Sequence, residues 1–168
     1  MIDCKWLPDC YDYPDWNNFQ QYEDGLYNLF REQVIEGDLS FRDKKIMIRR
    51  HPIENNKEEA FYHCTCKNYT KANNRQPDPE RMVRLPWLVP LLLNYDCQED
   101  CCNDKPLKWR KLDKSKHYRY YLYFNYYLII LEDRPNYFLL ITAFYVEDDY
   151  YDRGLRIDAQ KPENAINE

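Results

Sequence analysis

The last third of the chain limits the fold most. Residues 117–146 contain three runs dense in Tyr, Phe, Ile and Leu: "HYRYYLYF" (117–124), "YYLIILED" (126–133) and "NYFLLITAFYV" (136–146). Aromatic and branched side chains of this kind fill a pleated, half-buried surface. "DRPN" between the second and third runs carries turn chemistry, so the three read as successive strands of a meander. Two earlier stretches also read as strands. "KKIMIRR" (44–50) alternates Ile46 and Ile48 against basic neighbours, as a half-exposed strand does. "AFYHCTC" (60–66), read with a period of two, puts Phe61, His63 and Thr65 on one face and Tyr62, Cys64 and Cys66 on the other.

Helices are expected before the meander. "YEDGLYNLFREQVI" (22–35) lines Tyr22, Leu26, Leu29, Phe30 and Val34 along one helical face, with Gly25 a modest weakness. After the loop "NNRQPDP", Asp78 and Pro79 supply an N-cap and a first-turn residue. The helix that follows, through Asn94, meets Pro86 and Pro90 and is expected to kink or split in two. Together these elements predict an α+β domain. Its N-terminal helices pack on a central antiparallel sheet of about four to five strands, which closes with the three-strand meander.

A length of 168 residues fits a single domain. Residues 20–146 form its expected core, with 1–19 and 148–168 peripheral and a short helix from about 148. Net charge is −5, which does not favour a nucleic-acid partner globally. The charge is uneven, however. Residues 105–119 hold seven Lys/Arg and one Asp, either a solvated loop or an anion-facing segment, while "EDDYYD" (147–152) gathers acid.

The opening "MIDCKWLPDC" has no apolar core of the kind a signal peptide needs. The longest apolar runs, at 85–93 and 137–146, fall short of the ~18–20 residues that span a membrane. No membrane partner and a cytoplasmic location are therefore expected. Seven cysteines without a secretion signal read as reduced thiols. "CQEDCC" (97–102), even with Cys64 and Cys66, lacks the paired spacing of a zinc site, so no metal or other cofactor is expected.

Several polar residues interrupt these apolar patterns. His63 is either a neutral core imidazole or a proton carrier. Arg119, inside "YRYYLYF", either snorkels to solvent or faces an anion. Arg81 and Arg84 are three apart, as a phosphate clamp or an exposed pair would be. Thr142 and Tyr145 differ by an odd number, so a regular strand sends them to opposite faces and leaves Thr142 beside Phe138 and Leu140.

The order "FYHCT", "PDPERMVRLPWLVPLL", "HYRYYL", "YLIILEDRPNYFLLITAFYV" resembles the ribonuclease-like families of the barnase–EndoU–colicin–RelE group. The phage and mobile-element members are closest, with an H-x-T strand, an R-x-x-R-(I/L)-x-W helix, an R-Y-Y strand and a terminal L-x-T-A-(Y/F). The likeness covers roughly residues 20–146. It implies a small α+β domain that cleaves RNA without a metal, often a toxin, with RNA as substrate and an antitoxin or immunity protein as partner. Carried over by position, it implies catalytic roles for His63, Arg119, Thr142 and Tyr145, and substrate contacts from Arg81, Arg84 and Thr65. RNA brings its own nucleophile, the 2′-hydroxyl. In this reading His63 moves the proton, Arg119 neutralises phosphate oxygens, and the hydroxyls donate to the developing charge. The alternative is a non-catalytic nucleic-acid- or protein-binding module on the same scaffold.

Overall fold

The computed structural model describes residues 4–67, 75–99 and 104–167. The chain is α+β. Helix α1 (Phe19–Phe30) runs on into a short π-helical turn, Arg31–Ile35. It buries Leu26 and Phe30, and the turn buries Val34, the face that the 3.6-residue pattern marked. Strands β1 (Ser40–Phe41) and β2 (Lys44–Ile48) follow, then helix α2 (Glu59–Thr65). The two-residue strands β3 (Cys66–Lys67) and β4 (Gln76–Pro77) pair with each other, and β4 lies within the segment expected to be loop.

Asp78 caps α3 (Pro79–Val83) by accepting from the Glu80 and Arg81 amides. A 3-10 turn over Leu85–Trp87 separates α3 from α4 (Leu88–Asn94), so the proline-bearing segment is two short helices. Strands β5 (Leu107–Leu112), β6 (Tyr118–Phe124), β7 (Tyr127–Asp133) and β8 (Tyr137–Tyr145) lead to helix α5 (Asp149–Gln160).

The main sheet has six strands in the order β1-β2-β8-β7-β6-β5. It is mixed rather than purely antiparallel, because β2 runs parallel to β8. The basic run is not a loop either: it forms β5 and the turn into β6. Trp109, fully buried in the middle of β5, ties this charged segment to the sheet.

Residues 59–65 are helical, against the strand expected for 60–66. All seven are buried. A short run buried on every side carries no period that separates helix from strand. Glu58, Glu59 and Ala60 then tip it toward helix. The two-faced assignment of His63 and Thr65 falls with the strand.

A bulge in β8 positions the polar residues of its second half. Leu131 faces Leu140 while Ile130 faces Thr142, leaving Ile141 as the extra residue. Before the bulge, Phe138 and Leu140 enter the large core beneath the helices; after it, Ala143 does. Thr142 is therefore not on the Phe138 and Leu140 face, because the inserted residue reverses the alternation. The opposite face carries a smaller core of Trp109, Tyr123, Leu128 and Val146 under Leu155 of α5.

Candidate functional site

His63 lies at the edge of the sheet, where β2 has ended and β8 continues past its bulge. Its ring is only 7% exposed. Nδ1 lies 3.0 Å from the carbonyl oxygen of Ile141, the bulged residue, and Nε2 lies 2.9 Å from Oε1 of Glu59, one helical turn earlier. Both ring nitrogens are thus engaged by oxygens of the fold itself. Glu59 also pairs with Arg75, which reaches Glu54 at 2.6 Å and stacks 4.3 Å from the Tyr62 ring. Burial pushes the Tyr62 phenol up to about 12.

The contact is reciprocal. Thr142 Oγ1 donates to the His63 carbonyl at 2.8 Å. Arg81 Nη1 donates to the carbonyls of Cys66 and His63 at 2.9 and 3.3 Å, while its Nε holds Asp78 at 3.1 Å. A cation at the last carbonyls of a helix is favourable. Imidazole, hydroxyl and guanidinium thus fasten the end of α2 to the bulged edge of β8. Thr65 is fully buried and donates back to the Phe61 carbonyl. Arg81 lies 4.8 Å from the Phe144 ring and Arg84 3.7 Å from the Tyr145 ring.

Arg119 lies elsewhere. Strand register places Met47, Leu139, Glu132, Arg119 and Lys111 in one row across β2, β8, β7, β6 and β5. Their parity puts them on the face opposite the large core. Lys111 begins the row at α5, where it pairs with Asp158 at 2.8 Å. Met47 ends it, 44% exposed.

Between them Glu132 is 2% exposed, roofed by two guanidinium groups. Arg119 Nε holds it at 3.1 Å and Arg134 Nη2 at 2.5 Å, and Arg119 also reaches Asp113 at 3.6 Å. Both arginine side chains remain 30% exposed. A buried carboxylate therefore holds two part-exposed guanidinium groups on this sheet face.

Of the residues singled out in the sequence, the structure brings His63, Thr142 and Arg81 together. Thr142 shares the sheet face of Arg119, since its partner Ile130 lies two residues from Glu132. Two strands and two residues set their Cα atoms about 12 Å apart. Tyr145 pairs with Tyr127, a large-core residue, and so faces away from Thr142 as the odd spacing required.

Glu59, Arg75, Glu132 and Arg134 were not singled out. The i,i+4 spacing of Glu59 and His63 becomes a signal only once the segment is known to be a helix. Glu132 carried a signal, an acid ending the apolar run "LIILED".

Among the described residues no three His, Cys, Asp or Glu side chains converge as metal ligands. Cys10, Cys64, Cys66 and Cys97 are free thiols; Cys101 and Cys102 lie outside the described residues. Among the described residues no helix is long and apolar enough to cross a membrane. No family model, no curated protein and no solved structure matches the chain.

Proposed function

We propose that this chain binds single-stranded nucleic acid, with RNA the expected strand, through the open face of its sheet and without catalysing its cleavage. The observation that carries this reading is the pair of guanidinium groups, Arg119 and Arg134, laid over the sheet on the buried carboxylate of Glu132. Phosphate oxygens meet such preorganised forks bidentately. The half-exposed Tyr137, two residues before Leu139 on the same face, offers a ring on which an unpaired base stacks. The net charge of −5 sits elsewhere, notably at the start of α5. Binding is therefore local and steeply salt-dependent.

The test is fluorescence anisotropy with a labelled single-stranded RNA across a salt series, alongside a gel for cleavage in EDTA. Binding should weaken as salt rises, the RNA should stay intact, and Arg119→Ala should cost about tenfold in affinity. Duplex-only binding, or an Arg119→Ala protein that binds like wild type, overturns the proposal.

A second reading is the metal-independent endoribonuclease that the family resemblance implies, possessed of an antitoxin-like partner. One observation favours it: the buried Glu59–His63 pair, 2.9 Å apart, is an orienting carboxylate on an imidazole that can donate a proton. Cleavage in EDTA to a 2′,3′-cyclic phosphate, lost in a folded His63→Gln protein, would replace the binding reading with this one.

A further inference from the structure

Strand β1 covers the outer edge of β2 only briefly, pairing Ser40 with Lys45 and Phe41 with Lys44. Ile46 then donates to the Leu39 carbonyl at 2.9 Å, so its N–H points away from β8. The alternation of the strand turns the N–H and C=O of Ile48 to that same outer edge. Had β1 begun earlier, Gly37 would meet them. Instead the backbone leaves the edge at Asp38, where φ is 48°. Gly37 sits so close to the helix end that a Cβ there would meet the Gln33 carbonyl oxygen at 2.1 Å. Among the described residues the N–H and C=O of Ile48 have no backbone partner on this side.

Beside this open stretch lies a cavity of about 160 Å³. Val34 and Ile35 of the π-helical turn, Leu39, Ile46 and Ile48 form its apolar wall. An apolar cavity of about 150 Å³ holds a benzene-sized group, so this one suits a single aliphatic or aromatic side chain. A residue opposite Ile48 on an added strand carries its side chain on the face of Ile48, which is the face of the cavity. Free main-chain groups and an apolar pocket therefore meet at one position. Strand addition uses that pairing: ladder bonds supply affinity, and the pocket selects the side chain. The rim sets the neighbouring charge. Lys45 is paired with Asp38 at 3.3 Å and Arg50 with Glu58 at 3.7 Å. Arg49, exposed and one residue past β2, makes no ion pair among the described residues, so an acidic residue opposite it gains a cross-strand pair.

We propose that the outer edge of β2 takes an extended segment of a partner protein as an added strand. The segment runs antiparallel to β2, in line with β1, which is the pairing this edge already makes. In that register an aliphatic residue exchanges both main-chain bonds with Ile48 and fills the cavity. The residue before it is acidic and meets Arg49. Just after the anchor the segment leaves the edge, because Leu39 already holds the next place. This partner site is independent of nucleic-acid binding, which uses Arg119 and Arg134 farther along the sheet.

The experiment titrates the full isotope-labelled chain by NMR with an end-capped hexapeptide of threonine carrying Glu-Leu at its fourth and fifth positions. The Ile48 amide should shift and saturate. Replacing the peptide's Leu by Ala should weaken binding about tenfold, and methylating that Leu nitrogen should abolish it. Arg49→Glu should weaken binding of this peptide about threefold and strengthen binding of one with Lys in place of Glu.

A titration without a saturable shift at Ile48 overturns the proposal. So does an N-methylated peptide that binds like its parent, because the cavity then takes a side chain without pairing a strand. An Arg49→Glu protein with no change in charge preference overturns the register.

Discussion

The end of α2 and the open sheet face are built from the same residue types and use them in opposite ways. Around His63, each polar group points inward to a partner: ring to Glu59 and Ile141, Thr142 to the His63 carbonyl, Arg81 to two helix-end carbonyls. Around Arg119, a buried acid anchors two cations whose side chains stay 30% exposed. Saturated donors hold a fold together, and unsaturated ones await a ligand. A histidine, arginine or threonine in a sheet-rich chain is thus not in itself a site. The count of unused donors separates the two uses.

Four substitutions break or sharpen that contrast. His63→Ala should cost about 3 kcal/mol in urea unfolding, since it leaves a cavity in place of a buried ring and takes away its hydrogen bonds to Glu59 and the Ile141 carbonyl. A protein that stays as stable as wild type would remove the structural role assigned to the ring. Arg119→Ala, with its expected loss in strand affinity, should change stability by only about 1 kcal/mol, because the pair is part-exposed and Arg134 still holds Glu132. A collapse in stability there would erase the distinction between the two regions.

Thr142→Val should cost about 1 kcal/mol, tempered by Arg81, which continues to donate to the same carbonyl. The smallest effect belongs to Glu23. Burial holds its carboxyl above the usual range, against the opposing pull of Lys57. The folded chain therefore keeps this proton to higher pH than the unfolded chain does. Its contribution is fully present below the unfolded pKa and is lost as pH rises through the folded one. Glu23→Gln should then raise the melting temperature slightly at pH 7 and not at pH 4, with Asp24 still pairing Lys57 at 2.8 Å. The same shift at both pH values would show that ionisation is not the cause.

The meander, the amphipathic first helix and the split helix at Pro86 were legible because each repeats its period or breaker over many residues. The α2 segment was not, since a seven-residue run buried on all sides reads alike as strand and helix. β5 was hidden for the opposite reason. The seven Lys/Arg of residues 105–119 suggested solvent, and Trp109 at 0% exposure reveals the strand. In the candidate site, Arg119 was legible as a charge inside a tyrosine strand. Its partner Arg134 was not, because it sits in the turn directly after β7, where no strand period fixes the direction of its side chain.

Local sequence determined the fold class, the order of the C-terminal strands and the opposite facing of Thr142 and Tyr145, all of which follow from short-range periodicity. Tertiary structure decided the parallel pairing of β2 with β8, the bulge at Ile141 and hence the division between a clasped histidine and an open pair of arginines. The β2–β8 pairing and the histidine clasp join segments far apart in sequence, His63 and Ile141 being 78 positions apart, and no local pattern encodes which donor such a contact will consume.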